Sequence, residues 1–151
     1  DIFAGRGITE FVRTKSNANG MEKTLGYAQK DIHGLCYVNM EDFDMVYGHR
    51  NDVEGYAGAL TQFDRQLGQL LPMLREDDLL IITADHGCDP STPSTAHSRE
   101  HVPMVAWSKG IKAGANLGTR DTYAHIAATV ADYLGVKGNF SGSSFLPDIL
   151  G

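Results

Sequence analysis

The chain has 151 residues, with 13 Lys and Arg against 19 Asp and Glu, so its formal charge is -6 at pH 7 and its pI is about 5.4. With 42% hydrophobic, 21% charged and 9% aromatic residues it is neither a disordered polymer nor a fibre, and its length suits one compact domain. The acidic balance without a basic run excludes a nucleic-acid partner. The absence of any window near the ~20 apolar residues of a membrane span, and of a basic, apolar leader, points to a cytoplasmic protein without a membrane partner.

The opening Asp1-Ile2-Phe3-Ala4-Gly5 lacks a methionine and reads as a strand end entering a glycine turn, as expected of a piece of a longer chain. Ser16-Asn17-Ala18-Asn19-Gly20 is a loop signal able to cap a short helix at about 21–30. Leu35-Cys36-Tyr37-Val38-Asn39-Met40, apolar and flanked by Gly34 and acids, predicts a strand with Cys36 in the core. From Val53 the apolar residues Tyr56, Ala57, Leu60, Phe63, Leu67, Leu70, Leu71 and Leu74 follow a 3.6-residue period, with Asn51 and Glu54 as a capping box and Pro72 forcing a kink or an early end.

Leu79-Leu80-Ile81-Ile82-Thr83-Ala84 is continuously apolar, the pattern of a parallel strand covered on both faces. A long polar loop over 86–101 leads to a further strand at 102–107, with Pro103 near its start. Asp121 is placed to cap a helix bearing Tyr123, Ile126, Ala127, Val130 and Leu134 and closed by Gly135. This order of elements predicts a single α/β unit, a mainly parallel sheet flanked by helices. The cysteines Cys36 and Cys88 sit in unlike contexts and are expected to be reduced.

In an open parallel sheet the functional groups gather beyond the carboxyl ends of the strands. The unusual polar residues fall there: Asp44 and His49 after the first strand, Asp85-His86-Gly87 after the second, His97 and His101 in the following loop. Carboxylates mixed with imidazoles suit Zn, Mn or Fe better than Ca. Plainer readings exist for each piece. Asp85-His86-Gly87 also describes a turn, Asp44 and His49 a surface pair, His101 a strand cap, and Cys88 an inert thiol, while His33 and His125 read as ordinary helix or helix-end residues.

Their joint occurrence carries a resemblance. Asp42-Phe43-Asp44-Met45-Val46-Tyr47-Gly48-His49-Arg50-Asn51-Asp52, then Ile82-Thr83-Ala84-Asp85-His86-Gly87-Cys88-Asp89-Pro90, then Thr95-Ala96-His97-Ser98-Arg99-Glu100-His101-Val102-Pro103 closely resemble the phosphopentomutases of the alkaline phosphatase superfamily. Asp1–Gly5 and Arg13-Thr14-Lys15-Ser16-Asn17 are similar to that family as well, so the resemblance covers essentially the whole chain.

The resemblance implies a partial alkaline phosphatase-like core holding two divalent cations, Mn first, with Mg, Co or Zn as alternatives. Asp44, His49 and His97 would hold one ion, and Asp85 and His86 would contribute to the other. It implies a pentose phosphate substrate, with phosphate moving between C1 and C5 of (deoxy)ribose through a phosphothreonine and a bisphosphate. The family's threonine nucleophile, its N-terminal aspartate ligand and its cap domain have no match in these residues, so the isolated chain is expected to be inactive. One departure is Ala96, where the family pattern has an aspartate before the histidine. The oligomeric state is left open. A cofactor-independent phosphoglycerate mutase, a phosphatase or a sulfatase would share the Asp-His and His ligands but differ around Tyr47-Gly48-His49-Arg50, and a metal-binding module without catalysis is the non-enzymatic alternative.

Overall fold

The computed structural model describes residues 3–150, so Asp1 and Ile2 of the strand end read from the opening lie outside the described residues, and Phe3–Gly7 form turns. The chain divides into two compact units rather than the single one expected. The first takes the chain up to Lys30, Val38–Pro72 and His86–Glu100; the second takes Asp31–Tyr37, Met73–Asp85 and the chain from His101 on.

In the first unit, α1 (Asn17–Ala28) starts earlier than the sequence suggested, because Ser16 accepts a hydrogen bond from the Asn19 N–H at 3.2 Å and closes the first turn. Asn17 and Asp42 exchange reciprocal bonds, Asn17 N–H to Asp42 Oδ2 at 2.7 Å and Asp42 N–H to Asn17 Oδ1 at 3.0 Å, which anchors the start of α1 to the segment entering residue 44. α2 (Val53–Leu70) is capped by Asp52, whose carboxylate accepts the Gly55 N–H at 2.9 Å, not by Asn51. Its α-helical hydrogen bonding ends before Pro72, and Leu71–Met73 tightens into a 3-10 turn. Phe43 packs its ring against Tyr56 at 5.6 Å and Phe63 at 6.3 Å, seating a short π-helical turn, Phe43–Tyr47, against α2.

In the second unit, β1 (Leu80–Thr83) and β2 (Met104–Trp107) pair antiparallel, with Leu80 opposite Trp107 and Thr83 opposite Met104. A mainly parallel sheet was expected; among the described residues this ladder is the sheet. One face, bearing Leu79, Ile81, Met104 and Ala106, packs on Phe145, Leu146 and Ile149, as do Ile126 and Tyr133 of the same cluster. On the opposite face Val105 of β2 is half exposed and Leu80 and Ile82 of β1 are only partly buried, so the ladder is not fully covered on both sides as the apolar run of β1 suggested.

The run 35–40 forms no strand, because a strand is defined by the partner it bonds and none pairs with it among the described residues. Leu35 and Tyr37 are accordingly exposed, and so is Cys36, which the sequence placed in the core. Both cysteines are free thiols.

α3 (Ala124–Tyr133) begins without a side-chain cap, since Asp121 instead accepts from His125 Nε2 at 2.8 Å. It ends where Gly135, at φ +67°, donates to Asp132. Fully buried Thr129 gives its hydroxyl proton to the His125 carbonyl at 2.8 Å and accepts the Phe145 N–H at 2.9 Å, fixing the approach to the short α4 (Leu146–Ile149). His125 Nδ1 lies 3.0 Å from the Ser143 carbonyl, so this histidine ties the 142–146 segment to α3 rather than idling on a helix end. No helix among the described residues is long and apolar enough to cross a membrane.

Candidate metal centre

Four of the five expected ligands belong to the first unit. The π-helical turn presents Asp44, the 3-10 turn Gly48–Arg50 presents His49, and the loop after β1 brings His86 and His97. That loop is closed at its base by an antiparallel bridge between Gly87 and Ser98, which sets His86 and His97 side by side just outside it. Their rings stack with centroids 3.6 Å apart, and the His49 ring lies 5.0 Å from that of His97.

The imidazoles converge on one carboxylate. His97 Nε2 is 3.3 Å and His86 Nε2 3.9 Å from Asp44 Oδ1, while His49 Nε2 is 3.2 Å from Asp44 Oδ2. Asp44, His86 and His97 each offer an atom within 4.8 Å of the others. The resemblance separates His86 from Asp44 and His97, whereas the structure groups the three. Asp85 belongs to the second unit, exposed, two residues after β1 ends.

The tautomers follow from the backbone. The Thr95 carbonyl can only accept, so His49 Nδ1, 2.5 Å away, is the donor. The Gly87 carbonyl fixes His86 Nδ1 in the same way at 3.0 Å. In the neutral rings Nε2 is then unprotonated and faces Asp44 with a lone pair, the arrangement in which a carbonyl behind a histidine orients it as a ligand. Asp44 Oδ1 is buried and has no hydrogen-bond partner. A buried carboxylate oxygen without a donor is costly. A divalent cation shared with lone-pair imidazoles satisfies it, so the donor set fits a borderline metal such as Zn or Mn.

Cys88 lies against this site without serving as one of its three grouped donors. Burial pushes its thiol pKa up, and the carboxylates of Asp44, Glu100 and Asp89 raise it further, so the thiol stays protonated at neutral pH. His101 is exposed beyond the loop, and His33 pairs with Asp31, at 3.3 Å.

A family model described as the metalloenzyme superfamily matches residues 2–138. The chain belongs to the metalloenzyme superfamily. Within it, the chain is 57% identical over 150 residues to a phosphopentomutase of Acetivibrio thermocellus, covering 99% of this chain and 39% of that protein. It is 56% identical to a phosphopentomutase of Lachnoclostridium phytofermentans, covering 99% and 38%, and 51% identical to one of Kosmotoga olearia, covering 99% and 39%. The chain thus spans about two-fifths of the length of these curated relatives. Membership of a metalloenzyme superfamily agrees with a donor set whose central carboxylate oxygen lacks a hydrogen bond.

Sequence reasoning missed the residues that hold the ligands. Asn51 was read as a helix cap, yet its side chain bonds the carbonyls of Thr92 and Ser94. The available signal was an Asn just after the Gly-His-Arg turn, a residue that tolerates positive φ. Gly48, buried against Cys88, is a second such residue, and the signal was a glycine between two candidate ligands.

Proposed function

We propose that this chain is the C-terminal part of the metal-binding core of a phosphopentomutase with an alkaline phosphatase-like fold. In this reading the threonine nucleophile, an N-terminal aspartate ligand and the cap domain lie outside these 151 residues. The complete enzyme interconverts (deoxy)ribose 1-phosphate and (deoxy)ribose 5-phosphate. Asp44, His49 and His97 hold one divalent cation, and Asp85 and His86 contribute to a second, with Mn the first choice of metal.

The observation that carries the reading is Asp44 Oδ1, buried without a hydrogen-bond donor and faced by the Nε2 atoms of His97 and His86. The 50–57% identity to proteins named phosphopentomutase supports the choice of reaction. When bound, paired cations neutralise phosphoryl oxygens and stabilise the entering and leaving oxygens of an in-line transfer.

The chain's own residues prepare that chemistry. The Thr95 and Gly87 carbonyls keep protons on Nδ1 of His49 and His86, so in the neutral rings it is the Nε2 lone pair that is offered to a cation. The Gly87–Ser98 bridge holds the two ring planes parallel, and the Asn17–Asp42 pair steadies the entry to Asp44. The chain's net negative charge repels a phosphate until cations are bound, which makes metal loading a precondition of substrate approach.

Anomalous scattering from a Mn-soaked crystal tests the site: density touching Asp44, His49 and His97 is expected, and ions absent from both clusters overturn the assignment. For the reaction, the full-length protein is assayed with ribose 1-phosphate and with 3-phosphoglycerate; turnover of the latter alone refutes the pentose reading. Mutase activity is expected to be undetectable with the pure 151-residue chain and Mn, because no phosphoenzyme forms without the nucleophile. Turnover by that chain alone would show that the nucleophile lies within it.

A further inference from the structure

Asn51 sits at φ 52°, ψ 32°, in the left-handed region, immediately after the turn that carries His49. Its backbone N–H closes that turn onto Gly48 at 3.0 Å. Its side-chain Nδ2 donates to the carbonyls of Thr92 and Ser94, the latter at 3.3 Å. Its Oδ1 is buried without a partner, so what the side chain contributes here is its pair of N–H donors.

Other hydrogen bonds of residues 92–96 among the described residues stay local. Thr92 N–H and Oγ1 reach the Asp89 carbonyl at 3.2 and 3.0 Å, and Ala96 N–H reaches Ser94 Oγ at 3.1 Å. The bonds that cross from the 48–51 turn to the loop tip are those of Asn51 and the His49 Nδ1 bond to Thr95. Asn51 thus grips the carbonyls on either side of Pro93, one residue before the carbonyl that fixes the His49 tautomer and three before His97.

We propose that Asn51 is a positioning residue for the metal centre: it clamps the 92–95 loop so that the Thr95 carbonyl holds His49 as the Nδ1–H tautomer and His97 stays beside Asp44. The inference rests on the metal-binding reading of Asp44, His49 and His97. A backbone carbonyl behind a ligand histidine orients the ring only if the carbonyl itself is fixed, and loss of such outer contacts typically weakens metal affinity about 10–100-fold.

The test uses the 151-residue chain, Asn51→Gly and Asn51→Asp. Glycine suits φ 52° and removes only the carboxamide. Aspartate tolerates the same conformation but turns an acceptor-only carboxylate toward two carbonyls. Titration calorimetry with Mn2+ reads affinity, and long-range 15N NMR of the metal-free protein reads the His49 tautomer.

Mn2+ binding at least tenfold weaker in both variants is expected, with His49 losing its single Nδ1–H signature. Either variant suffices if the other does not fold. Mn2+ affinity within twofold of the wild type together with an unchanged His49 tautomer overturns the clamp. A wild-type chain that binds no Mn2+ overturns the metal reading instead, and the tautomer signature in the variants then decides the clamp by itself.

Discussion

Gly48→Ala separates a steric requirement from a conformational one. Gly48 is buried at φ -61°, ψ -61°, an ordinary helical conformation, so alanine adds no backbone strain there and its effect is steric. The added Cβ would lie 2.5 Å from Cys88 Sγ, 3.0 Å from the Phe43 carbonyl oxygen and 3.7 Å from Asp44 Oδ1. Favourable heavy-atom contacts begin at roughly 3.5 Å, so the thiol has to withdraw by about 1 Å. Phe43 precedes Asp44 and Cys88 follows His86 by two residues, so relief displaces both ligand-bearing segments.

Overpacking of this kind costs about 1–3 kcal/mol. For a chain of this size that corresponds to a fall of roughly 3–9 °C in Tm, read by calorimetry. A shift of about 1 Å also exceeds the ~0.5 Å tolerance of a preorganised site, so Mn2+ affinity should fall on the order of tenfold. Cys88→Ala alone should be nearly neutral for binding, and in the Gly48→Ala/Cys88→Ala double variant most of the loss should return, leaving the residual contact with the Phe43 carbonyl. Unchanged Tm and affinity in Gly48→Ala, or a double variant as impaired as the single, would refute the reasoning.

Thr129→Val keeps the side-chain shape but leaves the Phe145 N–H buried without its acceptor, so a loss of about 1–3 kcal/mol is expected in urea unfolding, whereas Thr129→Ser, which keeps the acceptor, should retain most of the stability. A neutral Thr129→Val would mean that another group takes up that N–H. The His125 pKa is raised, first by its hydrogen bond to Asp121 and then by the Ser143 carbonyl, and the Asp121 carboxyl is lowered chiefly by the same bond. A raised histidine contributes stability present below its unfolded value of ~6.5 and lost as pH rises through the folded value; a lowered carboxyl contributes above ~3.9 and loses it as pH falls. The Tm gap between wild type and Asp121→Asn should therefore be widest between about pH 4 and 6.5 and narrow on either side; a gap constant from pH 5 to pH 8.5 contradicts the pairing. Burial pushes both thiols up, but Cys88 also faces the carboxylates of Asp44, Glu100 and Asp89 and is less accessible, so exposed Cys36 should alkylate with iodoacetamide before half-buried Cys88, and mass spectrometry of the two peptides checks the order.

Local signals identified the elements whose stability is local. The apolar period from Val53 marked α2, and Pro72 marked where it ends, because a missing N–H breaks a helix whatever surrounds it. Ser16 announced α1 but not its first residue, which depended on the hydroxyl reaching Asn19. Caps at Asp52 rather than Asn51, and the diversion of Asp121 to His125, were decided by which neighbour the side chain met. The strand expected at 35–40 failed for a similar reason: hydropathy shows that a segment is apolar, whereas a ladder partner decides whether it is a strand.

The residue order by itself determined the candidate donors, since carboxylates and imidazoles clustered after apolar runs are legible without coordinates. It also determined the family resemblance, which lies in the three motif strings around Asp44 and His49, Asp85 and His86, and His97, in that order. Only the tertiary structure decided that His86 and His97 stack, that both face the buried Asp44 Oδ1, and that backbone carbonyls set the histidine tautomers. Side-chain chemistry is written residue by residue, but tautomer, burial and the distance between donors belong to pairs that the fold brings together across about 50 positions of chain.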